Sequence, residues 1–529
     1  MCTPASSKAT LSPPPVKVEQ KTTFFAVAVM AMLALTFIVK NLFLYLQQKV
    51  TLAFVYTNQF RTSERMMRNY LKRHYEFYLS ADTAVVQRNI TSDVNNMYAM
   101  ILCLLQLISD GVTSVFIVSY CFWKNGTMTV IMAVVMIALM LLIKKVLKPI
   151  MYKAGKDNQD YYSNLFKWIS QAVQGMKDVK ISGKESYFVD EYCKCGKGYV
   201  DAVQKYSLYN NIPKLLMETV CVVTMMIYMI VQVLQGTSTE NMMETLSTLA
   251  AAAFLLLPAV NRINNQINSM AYFEPFFMGV ADNLQDEISG DKVDFTDFEK
   301  PVEKLPVKEM IELRDISYAY PNTERLIFDH ANLKVPVGKS VGIVGTTGAG
   351  KSTVVDVMLG LLKLREGEVL ADGKNVMENY RGWLMNVGYI PQMSFMLDAS
   401  IRNNVAFGVP EDQIDEDRVW EVLKEAQLDE FVRSLPEGLE TSIGERGIRL
   451  SGGQRQRISI ARALYDDPEV LILDEATSAV DNDTEAAIME SINHFQGKKT
   501  LLIIAHRLQT IEKCDMVYRV ENGKVKQER

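Results

Sequence analysis

Five stretches in the first half of the chain, residues 24–46, 98–122, 128–147, 215–234 and 243–260, are apolar almost without interruption. An α-helix needs about 20 such residues to cross the hydrocarbon layer of a bilayer. The pattern therefore predicts five membrane spans. Beyond Asp282 the character changes: residues 286–306 are polar, carry Gly290, Pro301 and Pro306, and read as a linker. From 307 to 529 short apolar runs of strand length alternate with helical patterns, the layout of an α/β domain. The expected fold class is multidomain, an all-α transmembrane helical domain over 23–285 followed by a soluble α/β domain. Residues 1–22, with Pro13-Pro14-Pro15 and scattered Ser, Thr and Lys, hold no packable pattern and are expected to form a disordered tail.

Charge orients the spans. One long connection carries Arg61, Arg65, Arg68, Lys72, Arg73 and Arg88, and another holds Lys144, Lys145, Lys148, Lys153, Lys156, Lys177, Lys180 and Lys184, whereas the connections near Lys124 and 236–241 are short and nearly free of positive charge. Lysine and arginine concentrate on cytoplasmic loops, so the two long loops and the α/β domain are placed in the cytoplasm. Five spans then put residues 1–22 outside despite Lys8, Lys17 and Lys21, so the expectation is that a first helix is missing here, through divergence or through a misplaced or truncated start. The formal net charge of −5 leaves no basic footprint for nucleic acid. The seven cysteines lack metal-site spacing and read as a reduced set without chemistry.

The chemistry centres on Gly345-Thr346-Thr347-Gly348-Ala349-Gly350-Lys351-Ser352, which meets every fixed position of the phosphate-loop pattern G-x-x-x-x-G-K-[ST]. An apolar strand signal, Ser340 to Val344, precedes it, and a helical pattern through Thr353 follows. Glycines let backbone N–H groups point at phosphate oxygens, and the helix N-terminus adds its dipole. Lys351 would neutralise the β- and γ-phosphates of ATP, and the Ser352 hydroxyl would ligate Mg²⁺.

Two later stretches, Leu450-Ser451-Gly452-Gly453-Gln454 and Val470-Leu471-Ile472-Leu473-Asp474-Glu475, make the chain resemble the ATP-binding cassette proteins, the first being similar to that family's signature motif. The resemblance extends to Gln392 as the Q-loop glutamine, Asp481 as the D-loop aspartate, His506 as the switch histidine, and Tyr320, before a proline, as the adenine-stacking aromatic. It implies that the α/β domain is a P-loop ATPase in which Asp474 and Gln392 join Ser352 around Mg²⁺. Glu475 would be the general base and His506 would hold water and γ-phosphate in line. The resemblance also implies that Ser451, Gly453 and Gln454 complete the phosphate site of a second cassette. A chain with one cassette must then pair; a homodimer has two intact sites, and a heterodimer with a degraded partner stays open.

Spans fused ahead of a cassette resemble an exporter half-transporter of the plasma (inner) membrane, working by alternating access. Segments 78–85 and 183–190 are the expected docking pieces of the cytoplasmic loops, with Tyr187 or Phe188 as an inserted aromatic. Residues 172–180 and 257–263 look similar to flippases of lipid-linked oligosaccharides, which implies an amphipathic or lipid-linked substrate. Peptide or multidrug export, and a non-transporting ATP-gated membrane regulator, are the alternatives. Lys40 and Arg262 lie in or beside apolar runs, where a charge either faces a cavity and an anionic head-group or snorkels to the interface.

Overall fold

In a computed structural model of the protein, which describes residues 16–124, 126–235, 239–289, 302–321, 323–474, 492, 494–504 and 511–529, the apolar runs become very long helices. Helix α1 (Val16–Lys72) has 57 residues, about 85 Å at 1.5 Å per residue, so it extends well past a bilayer. A short helix α2 (Tyr75–Ser80), α3 (Thr83–Arg88) and one π-helical turn at Asn89–Asp93 lead into α4 (Val94–Lys124). The hairpin of α5 (Gly126–Gln174) and α7 (Glu185–Leu234) is joined through the short α6 (Met176–Ser182), and α8 (Thr239–Ser289) ends the membrane unit. Among the described residues four helices are long and apolar enough to cross a membrane, those of the first four predicted spans. The fifth run falls within α8, where residues 239–253 are described by backbone alone.

Two boundaries differ from expectation. Helix α1 already begins at Val16, inside the segment expected to be disordered, because 16–23 contain no Pro or Gly to stop a helix propagating back from the apolar run; residues 1–15 lie outside the described residues. At the other end α8 continues to Ser289, into the segment read as linker. The chain divides into two compact units. Asp82–Ile288 clusters with the chain up to Tyr70, and Leu71–Ala81 clusters with Ser289–Arg529.

The membrane unit has a core of Met136, Ile143, Met151, Ala154, Met217, Tyr272 and Phe276. At Gly155 a Cβ would lie 2.0 Å from the Tyr272 carbonyl oxygen, so α5 and α8 touch backbone to backbone there. In the second long loop the short α6 is bracketed by Gly175 and by Gly183 at φ 61°, so the expected docking segment 183–190 covers that helix end and the start of α7, where Tyr187 and Phe188 set their rings 5.9 and 6.1 Å from Trp168.

The second unit holds two sheets. An antiparallel sheet of order β2-β1-β4-β5 consists of β1 (Met310–Tyr318), β2 (Phe328–Pro336), β4 (Glu366–Ala371) and β5 (Lys374–Asn375). The larger sheet has order β10-β9-β3-β8-β7-β6, from β3 (Ser340–Gly345), β6 (Val387–Ile390), β7 (Val470–Asp474), β8 (Thr500–Ile504), β9 (Met516–Glu521) and β10 (Lys524–Gln527). All its neighbours are parallel except β9 and β10. Strands buried on both faces read as unbroken Val, Ile and Leu, as 470–473 and 501–504 do. Helices α9 (Lys351–Met358), α10 (Tyr380–Leu384), α11 (Ile401–Val405), α12 (Glu416–Glu425), α13 (Asp429–Ser434) and α14 (Gly452–Tyr465) complete this unit.

The β4–β5 and β9–β10 hairpins turn on Asp372-Gly373 and Asn522-Gly523, with both residues of each pair at positive φ, as a two-residue turn of matching twist needs. Asp372 does more: its carboxylate accepts from the N–H groups of Lys308 (2.6 Å), Glu309 (2.9 Å) and Met310 (2.9 Å). Burial alone would raise this carboxyl, but the three N–H donors outweigh it and hold the group below its ordinary value. A depressed carboxyl stabilises the fold above its unfolded value and loses that contribution as pH falls through the folded one. Asp372→Ala is expected to destabilise the cassette by roughly 2 kcal/mol at pH 7, with the difference shrinking at acid pH, as urea unfolding at both pH values will show.

Candidate nucleotide site

The parallel strands bring the sequence-predicted residues to one edge. Strand β3 ends at Gly345, β7 at Asp474, and β6 at Ile390, two residues before Gln392; Ile390 lies in register with Leu473. Ligands in open α/β sheets bind outside these carboxyl ends. The phosphate loop turns there into α9. Gly350 sits at φ 103° and its Cβ would meet Ile327 Cγ2 at 2.9 Å, so only glycine fits. No side chain caps α9, which leaves its first N–H groups for an anion.

Lys351 is buried, and its Nζ donates to the carbonyls of Gly345 (3.2 Å) and Thr346 (3.4 Å), so the ammonium is held along its own loop. Ser352 Oγ donates to Asp474 Oδ1 at 3.2 Å. A hydroxyl and a buried carboxylate converging in this way form the oxygen donor set that a hard divalent cation takes, so these residues fit Mg²⁺. Tyr320 shares a 3.0 Å hydrogen bond between its hydroxyl and Thr353 Oγ1, and its ring stands edge-on to Tyr318 at 5.3 Å. The base-stacking candidate is thereby tied to the helix that follows the loop.

Gln392 is exposed. Its loop is fastened to α14 by Gln456, which donates to the Pro391 carbonyl (3.4 Å) and accepts from Ser394 Oγ (3.3 Å), and by Arg462, which donates to the Phe395 carbonyl (2.7 Å). At the start of α14 the Ser451 hydroxyl accepts from Gln454 N (3.2 Å) while the Gln454 carboxamide accepts from Ser451 N (2.8 Å), a reciprocal capping box, and Gly453 lies in the first turn. Among the described residues no hydrogen bond or ion pair joins 450–454 to 345–353. Glu475, Asp481 and His506 lie outside the described residues.

Sequence reading missed Asp356. It stands one turn after Ser352 on the same face of α9, a spacing that could have revealed it. Burial, then the charge of Asp474, pushes its carboxyl up to about 6. Because the folded value exceeds the ordinary one, this group's contribution to stability is complete below about pH 4 and is lost as pH rises through about 6. Asp356→Asn is expected to raise the Tm of nucleotide-free protein in chelator by about 2–4 °C at pH 7.5 and to change it little at pH 4.5. An unchanged Tm at pH 7.5 would remove the charge penalty assigned to Asp356. The expected docking segment 78–85 covers the end of α2 and the start of α3, and Glu76 Oε1 on α2 accepts from Lys363 N at 3.0 Å. Asp82 instead caps α3 through Ala84 N (2.9 Å), which ends the loop earlier than expected.

Both charges have a neighbour in the membrane unit. Arg262 Nε donates to Asp110 Oδ1 at 2.8 Å, so its charge is matched within the chain. Lys40 Nζ lies over the Phe37 ring, 5.3 Å from its centre.

A phosphate loop, a strand-end carboxylate and a doubly wound sheet, fused to long apolar helices, define a P-loop ATPase carried on a membrane unit. Residues 3–256 match the ABC transporter transmembrane region family and residues 328–478 match the ABC transporter family. An ATP-dependent lipid A-core flippase of Pseudomonas aeruginosa is 30% identical over 431 residues, covering 79% of this chain and 68% of that protein. The chain belongs to the ABC transporter family. The flippase of the same name from Desulfotalea psychrophila is 29% identical over 462 residues, 86% of this chain and 78% of the relative. The solved structure of a bacterial Atm1-family ABC exporter with ATP bound superposes with a TM-score of 0.82 over 96% of this chain and 88% of that one, at 22% identity, and so shares the fold. The chain is thus a multi-pass membrane protein with a cytoplasmic ATPase coupled to transport.

Proposed function

We propose that the chain is one half of an ATP-driven flippase that moves an amphipathic or lipid-linked molecule across the inner membrane, and that it works as a homodimer. The observation that carries this reading is the convergence of Lys351, Ser352 and Asp474 at one sheet edge, in a chain that also carries the membrane helices. Relatives named as lipid A-core flippases support the substrate class.

In this reading Lys351 and the N–H groups of 346–352 bind the phosphates, and the Tyr320 ring faces the base. Ser352 and Asp474, with Gln392, hold Mg²⁺, which when bound neutralises phosphate charge. Glu475 takes a proton from the attacking water, His506 orients that water, and Asp481 lies at the boundary between cassettes. The Ser451–Gln454 helix start completes the phosphate site of the second copy. ATP binding favours the paired state and hydrolysis releases it, so the membrane unit alternates between two access states through differential affinity.

The test is ATP hydrolysis by the purified chain in lipid nanodiscs, with and without added amphiphiles, alongside movement of a fluorescent lipid between leaflets of proteoliposomes. Amphiphile-stimulated hydrolysis with ATP-dependent movement is expected. Stimulation by peptides alone, or hydrolysis with no movement of any lipid, would overturn the flippase reading.

A further inference from the structure

Helix α5 carries Lys144, Lys145, Lys148, Lys153 and Lys156 around the point where its apolar run, 128–147, ends. All of them are exposed. Among the described residues only Lys148 has an ion-pair partner, Glu274 Oε2 at 3.5 Å. Asp157 and Asp160 come later on the helix and pair with none of these lysines. The charges gather on one side. Lys144, Lys148, Tyr152 and Lys156 follow at four-residue intervals and form one ridge, with Lys145 and Lys153 beside it. The opposite side, Ile143, Leu147, Met151 and Ala154, is buried in the core of the membrane unit.

Helix geometry brings these charges toward one layer. The C-terminal part of α5 lies in the cytoplasm, and helical side chains lean toward the N-terminus, here back toward the membrane. The backbone of Lys153 stands about 9 Å beyond the apolar run, so its ammonium leans back toward a head-group layer about 5–7 Å thick. Lys148 starts at that layer. Lys144 and Lys145 lie just inside the run, where an ammonium is costly unless it extends to the same layer. Tyr152, 39% exposed, follows the run by five residues, at the level where amphipathic rings favour a membrane interface.

We propose that this stripe binds the phosphates of anionic phospholipids in the cytoplasmic leaflet. Lys144, Lys145, Lys153 and Lys156 have no carboxylate partner among the described residues, and the layer they approach is a layer of phosphates. A lysine ammonium offers three donors, and a phosphate accepts several at once. A zwitterionic lipid carries its own cation beside the phosphate and gains less. The occupant is a lipid of the surrounding leaflet, because the stripe turns away from the core of its own unit and is reached without entering the helix bundle. Each lysine is expected to enrich the anionic lipid about fivefold, the ratio that corresponds to about 1 kcal/mol per charge near an anionic surface. The inference does not depend on which molecule the protein moves.

The experiment uses the full chain in phosphatidylcholine nanodiscs with rising fractions of phosphatidylglycerol, following thermal unfolding. Phosphatidylglycerol is expected to raise the Tm of the parent chain, because a ligand of the folded state stabilises it. In Lys144→Gln/Lys145→Gln/Lys153→Gln the fraction giving half of that rise should increase at least about tenfold, with the Tm in phosphatidylcholine alone unchanged. Arginine at the same three positions should restore the response. Lys177→Gln/Lys184→Gln/Lys197→Gln removes the same charge from exposed positions far from the apolar runs, and should respond as the parent does. No rise in the parent, or equal responses of the two glutamine variants, overturns the site. The same rise with soluble glycerol 3-phosphate overturns a lipid as the source. Loss of the paired form by the stripe variant in phosphatidylcholine alone assigns the stripe to a second copy and overturns the lipid assignment.

Discussion

Lys351→Ala is expected to lower ATP hydrolysis by about 10²–10³-fold, and to do so by weakening nucleotide binding as well as turnover. Its ammonium is buried and fastened to the Gly345 and Thr346 carbonyls, so its direction is set before any phosphate arrives. Removing it leaves the α9 N-terminus as an anion site without the matching charge. The loop backbone should survive, because its turns depend on Gly350 and not on the lysine side chain. Titration with a fluorescent ATP analogue will show the change, and an unaltered affinity would contradict the role given to this lysine.

Glu475→Gln should separate binding from chemistry. Its place directly after Asp474, at the carboxyl end of β7, sets it next to the residue that Ser352 contacts. Amide replaces carboxylate with nearly the same shape, so the phosphate contacts persist while the proton acceptor is lost. Turnover is expected to fall by about 10²–10⁴-fold with nucleotide affinity retained. The same variant should accumulate a paired, ATP-bound form on size-exclusion chromatography, since hydrolysis is the step that releases the pair. Turnover within a few fold of the parent protein would move the base elsewhere.

Much of this molecule is legible in local pattern. Membrane helices show because twenty apolar residues in sequence have few other stable uses, and the buried strands at 470–473 and 501–504 show for a related reason. The phosphate loop shows because its backbone shape demands glycine at fixed positions. Helix and domain ends were less legible. Val16 lies beyond the apolar run of its helix because propagation is cheap once a long helix exists and 16–23 hold no proline or glycine, whereas the last membrane helix runs on to Ser289 through Pro275 and Gly279, so neither residue marks its end.

Contacts between distant residues were out of reach. Arg262 reads as a lone charge along the chain, yet Asp110, 152 residues away, neutralises it. Asp356 is an ordinary helix aspartate until folding buries it and brings Asp474 beside it. The segment Leu71–Ala81 belongs by sequence to the membrane loops and by packing to the cassette. Composition, spacing and glycine positions thus carry the fold class and the phosphate loop, because these depend on local backbone geometry and on transfer from water, while the family came through the resemblance of its motifs. Charge pairing, pKa and domain membership emerged from the folded chain alone, because Coulomb energy and burial depend on distances in space that sequence separation does not encode.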